Sequence, residues 1–398
     1  MMSEQDATLR ARVQARLAET PDLLAAPSRF ERRVRVREAV ARMLADDGLA
    51  MPPREIARLV HEIADQVVGL GPLEPLLRDP AATEIMVLPS GRVYVERDGC
   101  IEDAGIAIQD ARTVMHAIER IVAPLGLRID ESMPWVDARL PDGSRVHAII
   151  PPLSVGGPAL TIRRFAVQAI TAADLIERGA WTDEICEMLA ACVRARANIV
   201  VSGGTGAGKT TLLNVLSSFI PAGERIVTIE DAAELRLQQP HVVALQSRPP
   251  NVEGRGMVTI RDLVRNALRM RPDRIVVGEV RGGEALDMLQ AMNSGHEGSM
   301  STVHANSSAD LLARVEALVL MSASPLTVQA ARRQIGAGLD LIVHVARSES
   351  GRRIVEVAEV RARGDELIVE PLARREGGTL RATGIVPRAL SGVGERWS

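Results

Sequence analysis

The chain has 398 residues, 46% of them apolar and 25% charged, with a formal net charge of −3. That length allows two or three domains, each with its own core, and the composition excludes disordered and fibrous classes. Aromatic residues reach only 2%, so direct nucleic-acid binding is not expected, because strand binders combine positive grooves with stacking platforms.

The start, Met1-Met2-Ser3-Glu4-Gln5-Asp6, has neither a basic end nor an apolar run. No segment reaches the roughly 20 apolar residues that span a bilayer. A cytoplasmic protein is expected, and with no amphipathic anchor evident its membrane contact should be indirect. From Ala7 to about Leu70, Arg, Glu, Ala and Leu recur at helical spacing, interrupted near Pro21, Pro27 and Pro52-Pro53. Residues 1–68 therefore read as a helical segment of two or three short helices.

Gly69-Leu70-Gly71-Pro72-Leu73 punctuates the chain. Alternating runs at Glu84 to Leu88, Arg92 to Glu96, Arg145 to Ile150 and Ala159 to Phe165 then predict strands of a small α+β domain over 69–168. Pro141-Asp142-Gly143-Ser144 predicts a hairpin turn between Val136-Asp137-Ala138-Arg139-Leu140 and Arg145-Val146-His147-Ala148.

Beyond Thr171, strands at Asn198 to Val201, Arg225 to Ile229, Arg274 to Val277 and Met300 to Val303 alternate with helical stretches. Those helices are Lys209 to Phe219, Ile260 to Met270, Gly283 to Met292 and Ser308 to Met321. Alternation of this kind predicts a mostly parallel sheet wrapped by helices, an α/β domain over 169–398. Leu341 to Val345, Arg353 to Val360 and Glu366 to Glu370 predict further strands. The three cysteines, Cys100, Cys186 and Cys192, lack disulfide-framework or zinc spacing and are expected to be packing residues.

Chemistry concentrates in Gly203-Gly204-Thr205-Gly206-Ala207-Gly208-Lys209-Thr210-Thr211, which follows a predicted strand and opens a predicted helix. This is the context a G-x-x-x-x-G-K-[ST] phosphate loop requires. Glycine lets backbone N–H groups turn toward a phosphate chain, Lys209 should reach the β- and γ-phosphates, and Thr210 should ligate Mg²⁺. ATP and Mg²⁺ are thus the expected ligands. Of 48 basic Lys and Arg residues, Lys209 is the single lysine.

Arg274-Ile275-Val276-Val277-Gly278-Glu279 delivers a carboxylate at the end of an apolar strand, where ligands bind in open α/β sheets. Glu279 is the expected general base. Gly278 stands where an Asp is usual, so a carboxylate on the Mg²⁺ side must come from elsewhere. Thr228-Ile229-Glu230-Asp231-Ala232-Ala233-Glu234 supplies acids just past another strand, Glu230 foremost. His304 falls past the strand end at Val303 and could sense the γ-phosphate, with His296 a second candidate. Arg139 and Arg145 flank the predicted hairpin, and an arginine supplied across a cleft accelerates phosphoryl transfer by about 10³- to 10⁵-fold. Arg261, Arg265 and Arg269 share one helix face, for which a solvated surface is the default.

Three runs carry a resemblance to secretion-superfamily ATPases of the tight-adherence (Tad/Flp) pilus type, the TadA/CpaF branch. They are Asn198 through Asn214, Ile229 through Leu235, and Leu268-Arg269-Met270-Arg271-Pro272-Asp273-Arg274 through His304-Ala305-Asn306. The resemblance implies a RecA-like P-loop core in a homohexamer, an N-terminal PAS-like domain, and inner-membrane platform proteins as partners. By position it places Glu279 on the catalytic carboxylate, Glu230 in an acidic box, and His296 and His304 in a histidine box. It also places Arg139 and Arg145 where related ATPases hold phosphate-reaching arginines. Two other functions fit a phosphate loop: a nucleotide-gated regulatory module, and a DNA-translocating conjugation-type ATPase.

Overall fold

The computed structural model describes residues 12–13, 15–17, 20, 29–46, 52–97, 99–108, 110–140, 142–164, 170–250, 255–322, 324–348, 351–364 and 366–391. The chain divides into two compact units, residues 1–167 and 168–398.

In the first unit, α1 (Arg29–Asp46) and α2 (Pro53–Val68) pack through Val36, Val40 and Leu44 against Leu59, Val60 and Ile63. Pro53 opens α2, where its missing N–H costs nothing; Pro21 and Pro27 lie outside the described residues. An ionic cluster joins α1 and α2 to the short helix α3 (Glu74–Arg78). Arg33 pairs with Asp65 and, at 3.2 Å, with Glu74, while Arg78 reaches Asp65 at 2.5 Å. Burial pushes the Asp65 carboxyl up, against the opposing pull of Arg33.

The remainder of this unit is a six-stranded antiparallel sheet in the order β3-β2-β1-β6-β5-β4. Its strands are β1 (Ala82–Val87), β2 (Arg92–Arg97), β3 (Cys100–Ala107), β4 (Trp135–Arg139), β5 (Arg145–Ile149) and β6 (Ala159–Arg163). Ile85, Val87, Val93, Leu160 and Ile162 point to one face and meet Val114, Ile118 and Ile121 of α4 (Ala111–Val122). The expected hairpin is present: Leu140 and Ser144 close it with a 2.9 Å bond, Gly143 adopts φ +89°, and Ser144 N–H donates to Asp142 Oδ1. β3 was not expected; its mostly exposed residues carry little of the apolar alternation that marks a half-buried strand.

The second unit opens with α5 (Ala172–Glu177) and α6 (Asp183–Arg194), each started by a threonine cap. Next comes β7 (Ile199–Gly203), buried along its whole length, and then α7 (Lys209–Ser217). β8 (Ile226–Glu230), β9 (Val242–Gln246), α8 (Ile260–Ala267), β10 (Arg274–Val280), α9 (Glu284–Asn293), β11 (Met300–His304), α10 (Ser308–Leu320) and α11 (Val328–Gly338) follow. The chain continues through β12 (Leu341–Ser348), β13 (Gly351–Arg363), β14 (Glu366–Glu376) and β15 (Thr379–Ala382). All nine strands form one sheet in the order β15-β14-β13-β12-β7-β11-β10-β8-β9. From β12 to β9 neighbours run parallel; from β12 to β15 they run antiparallel.

Strands covered on both faces read as continuous apolar runs, and β7 illustrates why. Ile199 and Val201 enter the core on one face, which α6 and α7 cover, while Val200 enters the core on the other, built from α8 to α11. The expected solvated face holds at Arg265 and Arg269, which are exposed, and only Arg261 is half-buried. Arg261 and Arg265 also converge at 2.8 and 2.9 Å on Asp287 of α9, a carboxylate buried to 4% exposure. A buried charge requires such partners. Cysteine packing holds for Cys192, which is buried with its thiol pushed up to about 12, whereas Cys100 is exposed on β3. Among the described residues no helix is long and apolar enough to cross a membrane.

Candidate nucleotide-binding site

The phosphate loop lies where β7 ends, at the carboxyl edge of the parallel strands. The first glycine cannot be replaced: a methyl group built on Gly203 would lie 2.4 Å from the Val345 carbonyl oxygen of β12. Gly206 at φ +70° and Gly208 at φ +95° occupy the left-handed region and turn the loop back on itself. Gly208 also precedes α7, and having no side chain it leaves the first-turn amides uncapped. An anion suits that arrangement. Lys209 Nζ donates to the carbonyls of Gly203 (3.0 Å) and Gly204 (2.9 Å), so its ammonium lies within the loop curve. Ala207 is buried, and Thr205 is exposed at the tip. Thr210 and Thr211 are half-buried in the first turn.

Glu230 ends β8 at 3% exposure, and its Oε1 accepts from the N–H groups of Glu234 (2.8 Å) and Leu235 (3.0 Å). It thereby folds the acidic segment into a turn. Asn214 of α7 grips the same segment, accepting from Arg236 N–H at 2.8 Å, which ties the acids to the helix that begins at Lys209. The structure also explains the missing aspartate. A methyl group on Gly278 would fall 2.8 Å from Glu230 Cγ, so the Glu230 side chain occupies the space that a residue at 278 would need. The Thr210 hydroxyl and the Glu230 carboxylate are oxygen donors of the kind a hard cation such as Mg²⁺ prefers.

Glu279 follows on β10. Register aligns Val277 with Ser301 and Val280 with Val303 of β11, whose Val303 and His304 lie opposite Ser202 and Gly203 of β7. The Glu279 backbone is therefore level with the root of the phosphate loop and two strand spacings, about 10 Å, to the side. Arg281 holds the Glu279 carboxylate at 2.5 Å, and this bond, with Asp231 and Glu234 contributing, raises the guanidinium pKa above its ordinary value. The acids of β8 and the carboxylate of β10 thus share one field. Nothing in the sequence singles out Arg281 among the many arginines; the fold brings it onto Glu279.

His304, exposed at the end of β11, lies beside Gly203. His296 does not join it, because it precedes β11 at the opposite edge of the sheet, where its Nδ1 is buried without a hydrogen-bond partner. A different histidine approaches the loop. His344 of β12, 7% exposed, has Nδ1 2.9 Å from Ser202 Oγ, one residue before Gly203. Arg139 and Arg145 belong to the first unit, where they face each other across β4 and β5, and Arg145 faces Arg163 of β6 in turn. Arg163 also lies opposite Glu84 of β1.

These features define a class, the RecA-like P-loop ATPases: a loop at the carboxyl edge of a mostly parallel sheet, with a strand-end carboxylate two strands away. A family model for type II/IV secretion system proteins matches residues 66–375, and the chain belongs to that family. It is 40% identical over 314 residues to a Mycobacterium tuberculosis protein named for conjugal transfer, covering 77% of this chain and 89% of that one. Identity to the type IV secretion system protein PtlH of Bordetella pertussis is 36%, over 72% of this chain and 92% of PtlH. The solved structure of the Legionella pneumophila ATPase DotB is alike in fold, with TM-score 0.52 and 21% identity over 72% of this chain and 80% of that chain.

Burial pushes the His344 imidazole below its ordinary 6.5, only partly opposed by Glu356 and Asp310. The depressed value means neutral His344 contributes stability above the unfolded pKa, and that contribution is lost as pH falls through the folded one. Urea midpoints should therefore drop between pH 7 and pH 5.5 more steeply in the wild type than in His344→Gln. Parallel slopes would show that this histidine does not titrate on unfolding.

Proposed function

We propose that this chain is an ATP-hydrolysing motor that powers assembly or retraction of a tight-adherence or type IV-like pilus, or a secretion apparatus, at the cytoplasmic membrane. The carrying observation is the alignment of Glu279 with the root of the phosphate loop, close enough for a γ-phosphate and an attacking water to lie between them. The loop amides and Lys209 bind the phosphates, and Glu279 orients the water and takes its proton. Arg281 fixes the carboxylate until substrate arrives. Bound Mg²⁺, held through Thr210 and Glu230, would neutralise charge on the β- and γ-phosphates. His304 reports the γ-phosphate to the sheet edge.

Arg139 and Arg145 reach the phosphates of a site in a homohexameric ring, in which heterologous interfaces close on themselves. The 69–168 region serves as the PAS-like domain, with residues 1–68 as a helical extension and 169–398 as the motor core. Inner-membrane platform proteins are the proposed partners, and the protein works from the cytoplasm. The resemblance of the three long runs supports the tight-adherence subtype. The conjugal-transfer name of the mycobacterial relative favours one second reading, a conjugation-type ATPase. That reading predicts DNA-stimulated hydrolysis with a steep salt dependence.

Phosphate release from the assembled protein tests both readings. Glu279→Gln should retain ATP binding while kcat falls by about 10²- to 10⁴-fold, the usual contribution of a general base. Wild-type turnover in that variant would remove Glu279 from the reaction. In the same assay Arg139→Ala or Arg145→Ala should lower kcat more than it raises KM. Wild-type rates in both would take the hairpin out of the site.

A further inference from the structure

The hairpin formed by β12 and β13 does more than extend the sheet. β12 pairs with β7 only as far as Val345 opposite Gly203, and then continues through Ala346, Arg347 and Ser348 beyond the end of β7. The hairpin therefore rises beside the phosphate loop. Ser348 Oγ donates to Gly351 O at 3.1 Å where the strands approach their turn. In the antiparallel register Arg347 lies directly opposite Arg352, so the two side chains leave the same face.

Both arginines lie close alongside the loop. A methyl group on Gly208 would be 3.3 Å from Arg352 Cδ, and one on Gly206 would be 3.8 Å from an Arg347 guanidinium nitrogen. Gly206 and Gly208 are the turning points of the loop, whose amides cradle the α- and β-phosphates. Beside a phosphate cradle such a pair has the right chemistry, because planar guanidinium groups pair bidentately with phosphate oxygens.

We infer that Arg347 and Arg352 form a second phosphate-binding element of this site, a guanidinium pair that grips the diphosphate common to ATP and ADP. The inference rests on the ATPase reading, but it concerns product retention rather than the chemical step. Arg139 and Arg145 are assigned to hydrolysis, and a γ-phosphate contact would distinguish ATP from ADP. The hairpin pair meets the loop on the part of the nucleotide that remains after hydrolysis. It is therefore expected to set how long ADP stays bound.

Calorimetric titration of the full chain with ADP, and with ATP in Glu279→Gln, tests the assignment. Arg347→Gln/Arg352→Gln should weaken ADP and ATP binding by the same factor, about tenfold to a hundredfold, the scale of charge-assisted bonds to phosphate. Single substitutions, Arg347→Gln and Arg352→Gln, should each give an intermediate loss and guard against misfolding of the double variant. ADP affinity within twofold of wild type would overturn the inference, as would weakening confined to ATP. If wild-type protein binds ADP yet releases no phosphate, the motor reading fails while the arginine pair is still judged by its ADP affinity. A wild-type chain that binds neither nucleotide defeats both.

Discussion

The ammonium of Lys209 donates to the carbonyls of Gly203 and Gly204, and the shape of the site follows from that contact. Two peptide oxygens can converge on one ammonium only if the loop bends tightly. The bend requires left-handed backbone at Gly206 and Gly208 and no side chain at Gly203, where the Val345 carbonyl fills the space. Those conditions require in turn that β12 run beside β7 in fixed register. The fold supplies this by burying β7 on both faces, so neither strand can slip without exposing its apolar residues. A local contact thus depends on the whole sheet.

The same economy of space governs the acids. Glu230 spends one oxygen on two backbone amides and fits its side chain against Gly278, so the strand carrying Glu279 can tolerate only glycine before the carboxylate. Arg281 then holds the Glu279 carboxylate, and Asp231 and Glu234 add to the field around its guanidinium. Electrostatic preorganisation of this kind places charge before substrate arrives, when reorganisation is least costly.

Much of this was legible in the sequence because its signals are local. Strand, glycine loop and helix followed one another in the order a phosphate site demands, and Asp142-Gly143 announced its hairpin. The parallel strands were readable as apolar runs because both their faces are covered. β9 was missed since it is an edge strand of half-exposed residues, and α11 because Gly336 and Gly338 weaken its helical pattern. What the sequence could not disclose were contacts across long separations. His344 meets Ser202 over 142 positions, Asp287 gathers Arg261 and Arg265 from another helix, and Arg347 with Arg352 reaches a loop some 140 residues earlier. Arginine is common enough in this chain that only geometry separates the few at the site from the many on the surface.

The lone lysine gives these points a single test. An ammonium is compact and can donate to two carbonyls 2.9 and 3.0 Å away within a loop curve that a planar guanidinium would force open. In a chain that otherwise uses arginine for every basic position, charge alone is not what position 209 requires. Phosphate release by Lys209→Arg measures the difference directly. The account predicts loss of turnover although the charge is kept, and near-wild-type hydrolysis in that variant would contradict it.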